Sequence, residues 1–336
     1  MKKLVMLFVV ISLFGCGVQK SQMVRIEAKV ETESVVSSGD AADDPAIWIH
    51  STDHEQSLIL GSNKKLGIYS YDLHGNVKQF LPLGRVNNID IRQSVPVNGE
   101  VIDIVSGTNR STNRVEVLQI DDGIMKPLNL DIPSSKLSEV YGFCMGFINN
   151  QHLVFLAVGL DEDAELYELK NNKKESYLEI TRTLPIETKS EGCVIDDDSG
   201  EIFVGEEEVG IWRFNYFDEN VKDKVISIES KNLKADIEGL ALFNANGKKY
   251  LIASSQGSNT YPVFDRKDYS FVKTFQVVAG KEIDGTTETD GIEFSTELKS
   301  KEFPLGVFIV QDDKNTNPRG NQNFKLISAE EIINEL

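Results

Sequence analysis

The chain has 336 residues, of which 40% are hydrophobic, and it carries 53 acidic against 35 basic side chains. That length can bury one large core or two smaller ones. The net charge of −18 excludes nucleic-acid binding through a basic face, and it means that an anionic substrate would need cations between itself and the protein.

The first segment is typical of a secretory signal. Two lysines precede an apolar run at residues 4–14, which is too short to span a membrane as a helix. The run ends in Leu-Phe-Gly before Cys16, as in a lipobox, where the cysteine is acylated after cleavage. We expect a signal peptide at residues 1–15 and a lipid-anchored tether at residues 16–23, which places the protein at a bacterial cell envelope, in the periplasm or at the cell surface. An ordinary signal with an incidental cysteine is the alternative.

The two ends of the remaining chain each predict a short element. Residues 24–31 alternate apolar and charged side chains, which indicates a half-buried strand that completes a sheet formed elsewhere. Ser328 and Glu331 have the spacing of a capping box, which predicts a short helix to Leu336 with a packing role.

The chain between these ends is built from a repeat. A polar residue, then usually a small one, then an apolar strand recurs six times, and a second apolar run follows each copy. The lead residues stand at positions 44, 88, 141, 191, 238 and 290. Units of roughly 50 residues, each a small antiparallel sheet, predict an all-β fold, a six-bladed β-propeller of four-stranded blades forming one domain over residues 24–336. A β-sandwich with chance spacing does not account for both strand families.

The fourth repeat, residues 191–214, shows what this register implies. Three short strands place Glu191 and the pair Glu206 and Glu207 at the same rim, and three carboxylates there repel one another unless a cation lies between them. Corresponding positions of the other repeats bring more oxygen ligands to this face, among them Asp43, Asp44, Asp236, Glu238, Gln256, Asp284 and Asp290. The acidic run at residues 196–198 lies at the opposite end of its strand and is predicted to be a solvated turn.

Two further cysteines, Cys144 and Cys193, lie in the first strands of neighbouring repeats. A disulfide is one reading in an oxidising compartment. A pair of buried free thiols is the other, since sequence does not fix the distance between them.

The ordered set of motifs resembles the β-propeller phytases, also called alkaline 3-phytases, over residues 24–336. The matching pieces include DAADDPAIW at 40–48, SNKK at 62–65, TNR at 108–110, YGF at 141–143, EG at 191–192, GEE at 205–207, DIEG at 236–239 and DGTTETDG at 284–291. The resemblance implies a calcium-dependent hydrolase that removes phosphate from phytate (myo-inositol hexakisphosphate), with calcium at one end of the channel. A monomer acting on phytate or its calcium complex is expected.

The resemblance also assigns roles to residues. The calcium ligands it implies are Asp44, Glu191, Glu207, Asp236, Glu238, Gln256, Asp284 and Asp290. It implies that Lys64, Lys65 and Arg110 bind substrate phosphates, and we place Arg110 with Glu191 and Glu207 among the catalytic residues. Salt bridges to neighbouring acids compete with this role, more for Lys65 than for Arg110. Arg92, inside a first strand, is predicted to be structural.

The proposed chemistry is attack of a metal-activated water on phosphorus, with Glu191 or Glu207 taking the proton. Two departures from the family pattern lie in the third repeat, where Leu160 stands at the place of a phosphate-binding lysine and Gly146 at the place of an aromatic residue. They leave two alternatives open: a related calcium phosphoesterase for another phosphorylated ligand, and a non-catalytic calcium-binding propeller.

Overall fold

The computed structural model describes residues 23–171, 175–230 and 232–336. The expected signal peptide and Cys16 lie outside the described residues, as does nearly all of the tether. Within the described part of the chain, no helix has the length and apolar character needed to cross a membrane.

The described residues form 25 strands in six sheets, in which every pair of neighbouring strands but one is antiparallel, and the predicted six-bladed propeller is confirmed. The first strands are β1 (Met23–Glu27) and β2 (Val30–Glu31). Blade 1 contains β3 (Ala42–Trp48), β4 (Leu58–Asn63), β5 (Gly67–Asp72) and β6 (Val77–Pro82). Blade 2 contains β7 (Val86–Val97), β8 (Glu100–Asn109), β9 (Arg114–Asp121) and β10 (Ile124–Pro127). Blade 3 contains β11 (Val140–Ile148), β12 (His152–Gly159), β13 (Glu162–Asn171) and β14 (Ser176–Leu184).

Blade 4 contains β15 (Ser190–Ile195), β16 (Glu201–Glu206), β17 (Gly210–Asn215) and β18 (Lys222–Ser227). Blade 5 contains β19 (Ile237–Ala245), β20 (Lys248–Ser255), β21 (Tyr261–Asp265) and β22 (Phe271–Val278). Blade 6 contains β23 (Ile292–Ser295), β24 (Val307–Asp312) and β25 (Asn323–Ser328). Two short 3₁₀ turns, His54–Gln56 and Gln256–Ser258, and the helix α1 (Ala329–Ile333) are the other regular elements of the described chain.

The N-terminal strands complete the last two blades. β2 pairs antiparallel with β25 and is the fourth strand of blade 6, while β1 pairs parallel with β22 and adds a fifth strand to blade 5. The prediction that residues 24–31 complete a sheet is therefore confirmed, although they serve two blades. A short helix is also present near the C-terminus, but it ends at Ile333 rather than at Leu336, and the capping box is wrong, because Ser328 makes no side-chain hydrogen bond to the helix.

The first strands of the six blades line the central channel. Each of them contacts the first strand of the next blade, in the order β3, β7, β11, β15, β19, β23 and back to β3. Six apolar clusters lie between neighbouring blades and close the ring. The strands β11 and β12 are almost entirely buried. Because both faces of such inner strands pack against protein, their sequences are nearly continuous apolar runs.

A disulfide joins Cys144 of β11 to Cys193 of β15. Of the two alternatives that the sequence left open, the structure therefore has the bonded pair. The bond crosses from blade 3 to blade 4 next to the channel, and hydrogen bonds such as that from Asn149 N–H to Asp197 O at 2.8 Å also join these two blades.

Candidate functional site

A bulge at the start of the first strand turns the lead residue toward one rim in five of the six blades. The register of β15 against β16 shifts between Ser190 and Cys193, and corresponding shifts occur at the start of β3, β7, β11 and β19. Bulges of this kind redirect side chains at functional edges. Glu191 and Glu238 are placed in this way.

The glycine after the lead residue explains the spacing of the ring. A Cβ atom at Gly192 would lie 2.5 Å from the carbonyl oxygen of Glu238, and one at Gly239 would lie 2.8 Å from that of Asp290. Each glycine thus lets the lead residue of the following blade approach its backbone. The repeated pair of a polar residue and glycine is therefore the device that gathers carboxylates from different blades.

Three of these carboxylates form a buried cluster. Glu191, Glu207 and Glu238 each offer an oxygen that lies within 4.8 Å of the other two, and their residues are 2%, 3% and 4% exposed. Glu191 is the second residue of β15, Glu238 is the second residue of β19, and Glu207 follows β16, where its N–H donates to Lys189 O at 3.0 Å. The structure thus brings together three of the predicted metal ligands from two blades.

The protonation behaviour of this cluster reflects crowded negative charge. Burial raises the pKa of Glu238 well above its ordinary value, and the charges on Glu191 and Glu207 raise it further. Burial also raises the pKa of Glu191, against the lowering effect of Lys64, and that of Glu207, against its bond from Lys189. Glu238 Oε2 is buried without a hydrogen-bond donor. Hard, closely spaced and under-satisfied oxygens suit a divalent cation such as calcium.

A second acidic group continues the rim across blades 6 and 1. Lys64 Nζ lies 2.9 Å from Asp290 Oδ2, 3.5 Å from Asp43 Oδ1 and 2.6 Å from Asp40 Oδ1. Burial is the main reason that the pKa values of Asp43 and Asp290 both rise to about 7. Neither oxygen of Asp43 receives a hydrogen bond. In this arrangement Lys64 is a counter-ion inside the acidic rim, with its side chain only 13% exposed.

Asp43 was placed on this face from the sequence without a metal role, and the charge on Glu191 adds to the effect of burial in raising the pKa of Asp43. Its neighbour Asp44, which was predicted to bind metal, accepts a hydrogen bond from Ile89 N at 3.0 Å. Asp44 lines a small channel cavity of about 30 Å³ together with Glu238. Burial raises the pKa of Asp44 well above its usual range, and the charge on Asp43 adds to this.

Asp236 and Gln256 lie beside the cluster. Gln256 Nε2 donates to Asp290 Oδ1 at 2.9 Å, and the Gln256 N–H donates to Asp236 O at 3.0 Å. Asp236 is half-buried, and its charge is among the causes that raise the pKa of Glu207. Both residues therefore border the carboxylates that they were predicted to join.

Asp284 lies in a different group of charges. Its Oδ1 is 2.6 Å from Lys325 Nζ, and its Oδ2 accepts from Thr316 Oγ1 at 2.6 Å. Lys325 is fully buried and also lies 3.0 Å from Asp312 and 3.2 Å from Glu31. Although burial acts in the other direction, the bonds from Lys325 and Thr316 lower the pKa of Asp284. Here a lysine supplies the positive charge that the prediction gave to a metal ion.

The sequence predicted that salt bridges to acidic residues would occupy Lys65 more than Arg110, and the structure shows the opposite. Lys65 is solvent-exposed and donates to Ser38 O at 2.6 Å. No carboxylate of the described residues lies within ion-pair distance of it. Arg110 instead pairs with Glu139 at 2.7 Å and donates to Asn87 Oδ1 at 3.3 Å. Lys65 and Arg110 therefore lie at the rim in different states, one free of acids and one paired.

Three side chains of the rim were not singled out from the sequence. The ring of Tyr141, a lead residue, lies 5.0 Å from Arg110 Cζ, and 5.5 Å from Lys189 Nζ. Asn87 Nδ2 donates to Glu191 Oε1 at 2.7 Å. The lead position of Tyr141 was a usable signal, whereas the role of Lys189 depends on packing between blades 3 and 4.

Three other expectations need correction. Glu206 does not join the cluster, because Thr188 and Trp212 donate to its two oxygens. The run at residues 196–198 is not simply a solvated turn, since buried Asp196 pairs with Arg266 at 2.6 Å. Gly146 does not mark a lost contact at the rim, because a Cβ atom there would lie 2.5 Å from Ile195 Cγ2 in the packing between blades.

Arg92 has the structural role that was predicted for it. Its guanidinium group bonds Asp90 at 2.8 Å, Asp197 at 2.9 Å and the carbonyl oxygen of Met145. It thereby ties the first strands of blades 2 and 3 to the turn that follows β15.

Comparison with known proteins decides the family. The family model described as Phytase matches residues 2–336. The chain belongs to the phytase family. The 3-phytase of Bacillus subtilis (strain 168) is 38% identical over 327 residues, which cover 93% of this chain and 85% of that protein. This phytase is therefore an enzyme, a 3-phytase-like phosphoric monoester hydrolase with a small-molecule substrate, and the alternative of a non-catalytic propeller is wrong.

Proposed function

We propose that this phytase releases phosphate from phytate in a calcium-dependent reaction at the rim where the lead residues gather. The observation that carries the proposal is the buried cluster of Glu191, Glu207 and Glu238, whose oxygens lie within 4.8 Å of one another in a member of the phytase family. Phytate is densely anionic and the chain is strongly acidic, so substrate can approach this rim only if cations lie between the two.

The carboxylates have the composition of a calcium site. Glu191, Glu207 and Glu238 would hold the ion, and Asp43, Asp290, Asp44, Asp236 and Gln256 border them with further oxygens. When bound, calcium supplies positive charge that offsets the phosphate and lowers the pKa of water. Asp284 is left out of this set because Lys325 already neutralises it.

The protein's own residues orient the reaction. Glu191 is fixed by Asn87 and Glu207 by Lys189, so either carboxylate is held in place to accept the proton of the attacking water. Arg110 and Lys65 would bind phosphate oxygens at the same rim, since Arg offers a planar bidentate grip and Lys a mobile charge. Lys64 keeps the carboxylates of blades 1 and 6 together.

The experiment that tests the proposal is phosphate release from phytate by the purified protein in excess calcium and in excess chelator. We expect turnover with calcium and none with chelator, and restoration when calcium is added back. Turnover that survives exhaustive chelation would overturn the calcium dependence, and absence of release in excess calcium would overturn phytate as the substrate.

A second candidate substrate class follows from Leu160. Its N–H donates to Glu139 O at 3.1 Å, so it lies at the rim, where it offers no charge to a phosphate. A smaller phosphorylated ligand would need fewer cations than phytate. Comparison of kcat/KM for phytate with that for simple sugar phosphates distinguishes the two.

We also propose that Cys16 carries a lipid that holds the protein at a bacterial cell envelope. The support is the sequence pattern before Cys16. Fractionation of cells that express the full chain or its Cys16→Ala variant tests this, and equal amounts of both in the membrane fraction would contradict it.

A further inference from the structure

Lys189 is an accessible ammonium group beside the carboxylate cluster. It directly precedes β15, and its Nζ lies 3.0 Å from Glu207 Oε1. The lysine side chain is 42% exposed, whereas that of Glu207 is 4% exposed. An ammonium group has three donors, so this one ion pair leaves donors directed to solvent at the mouth of the site.

The same lysine shares an aromatic ring with Arg110. The Lys189 ammonium lies 5.5 Å and the Arg110 guanidinium 5.0 Å from the centroid of the Tyr141 ring. Both distances fall within the roughly 6 Å over which a ring attracts a cation. Tyr141 is itself 8% exposed and therefore held firmly, so it positions two cations from blades 2 and 4 around one fixed point.

The other cations of the rim are already engaged or lie on another blade. Lys64 contacts three carboxylates and is largely buried. Arg110 is paired with Glu139, and Lys65 belongs to blade 1. In the third blade, Leu160 takes the place where a lysine was expected. Without Lys189, the cations that lie beside Glu139 would be Arg110 and Arg85, and both already pair with that carboxylate.

Lys189 lies near the part of the rim that a lysine side chain at position 160 would reach. Leu160 N–H donates to Glu139 O, and Glu139 in turn holds Arg110. The next residue, Asp161, is close enough to Glu207 for its charge to raise the pKa of that carboxyl, although burial is the larger cause. The ends of β12 and the start of β15 therefore face the same space above Glu207.

We propose that Lys189 binds a phosphate group of the substrate together with Arg110, and that it replaces from blade 4 the cation missing at Leu160. The inference rests on the proposed function, since it assumes that a phosphate ester binds at this rim. Phosphate oxygens accept charge-assisted hydrogen bonds from Lys and Arg, and the exposed donors of Lys189 satisfy them while the Glu207 pair holds its stem in place.

The decisive experiment measures KM and kcat for phytate in Lys189→Gln, with Lys126→Gln as the matched control. Lys126 carries the same charge, its side chain is 53% exposed, and it pairs with Asp121 away from the rim. We expect Lys189→Gln to raise KM about tenfold with kcat within about twofold, as loss of one charge-assisted bond requires. Lys189→Arg should keep KM within about threefold of the wild type.

A rescue variant separates substrate binding from a purely structural role. Leu160→Lys added to Lys189→Gln should return KM to within about threefold of the wild type, because the lost charge is restored at the same space. If Lys189 only neutralised Glu207, a new lysine at position 160 would not restore KM. If Lys189→Gln leaves KM within about twofold of the wild type, or if Leu160→Lys gives no rescue, Lys189 does not bind substrate.

Binding of myo-inositol hexakissulfate, a non-hydrolysable polyanion, provides a readout besides turnover. Calorimetry should show about tenfold weaker binding by Lys189→Gln than by Lys126→Gln, with unchanged thermal unfolding. Equal binding by both variants would overturn the inference. A wild type that binds the polyanion through Lys189 but releases no phosphate from phytate would instead refute the proposed function and leave the role of Lys189 standing.

Discussion

Lys64 Nζ lies 2.9 Å from Asp290 Oδ2, so an ammonium group of blade 1 neutralises a carboxylate of blade 6 inside the acidic rim. The same ammonium lies 3.5 Å from Asp43 Oδ1, yet the pKa values of both carboxyls still rise to about 7 because they are buried. One lysine is thus insufficient for the negative charge that the rim concentrates. The shortage of positive charge is what makes the site suited to a divalent ion, and it has measurable consequences.

The first prediction concerns the stability of the calcium-free protein against pH. The pKa values of Asp43 and Asp290 rise from 3.8 to about 7 on folding, so between these values the folded protein keeps protons that the unfolded chain has released. The stabilisation that these two groups contribute to the folded protein is fully present below about pH 4 and is lost as pH rises through about 7.

We therefore expect chelator-treated protein to unfold at least about 3 °C lower at pH 8 than at pH 5. The double variant Asp43→Asn with Asp290→Asn isolates these two groups, and its melting temperature should change less with pH. Calcium should raise the melting temperature more at pH 8 than at pH 5. A wild type and variant with the same pH dependence would contradict the prediction.

The second prediction is that Glu238→Gln loses activity and gains stability without calcium. Glu238 is buried beside two other carboxylates, so its neutral replacement removes repulsion in the metal-free protein and removes one calcium ligand. Phosphate release from phytate should fall by at least about tenfold, and thermal unfolding in chelator should move to higher temperature.

Glu179→Gln is the control for that variant, because Glu179 is exposed on β14 and the change removes the same charge. It should alter neither property. A Glu238→Gln protein with wild-type turnover would show that Glu238 is not a calcium ligand.

The third prediction is that Lys325→Met destabilises the fold. Lys325 is fully buried among Asp284, Asp312 and Glu31, and its removal leaves their charges without compensation. The expected loss in the free energy of unfolding is about 3–5 kcal/mol, measured by urea titration. Lys248→Met, whose side chain is 62% exposed, is the control and should change little. A loss below about 1 kcal/mol at Lys325 would show that water reaches these carboxylates.

The fourth prediction concerns the disulfide between Cys144 and Cys193, which are separated by 49 positions in the chain. A closed loop of that size restricts the unfolded chain, so the double variant Cys144→Ser with Cys193→Ser should lose about 4 kcal/mol of stability. Thiol titration of the denatured wild type without reductant should find neither cysteine free. Two reactive thiols in protein purified from an oxidising compartment would contradict the bond.

The repeat made the fold predictable, and the bulges made part of the site unpredictable. Polar residues followed by glycine recur at Glu191, Glu238 and Asp290, and the structure shows that these glycines set the approach of neighbouring blades. The roles of Asp43 and Asp44 depend on a bulge at the start of β3, which no pattern in the sequence specifies. Adjacent residues on a strand point to opposite sides, so one shift in register exchanges their surroundings.

Residues that meet only in the folded state were the other source of error. Asp284 offers the carboxylate oxygens that calcium prefers, but its partner Lys325 lies 41 positions later, on β25. Lys189 stands next to the Ser-Glu-Gly start of β15 without a motif of its own, and its proximity to Tyr141 comes from the packing of blades 3 and 4. Sequence spacing identifies which residues carry charge, but not which charges already have partners.

The way the ring closes sets the order in which the enzyme can become active. Since β2 is the outer strand of blade 6, it can pair only after its much later neighbour β25 has been synthesised. The acidic rim spans this same junction, where Asp43 and Lys64 of blade 1 meet Asp290 of blade 6. A chain that lacks β25 would leave blade 6 incomplete, so the contact of Lys64 with Asp290 would not be held in place and we expect no phosphate release from it.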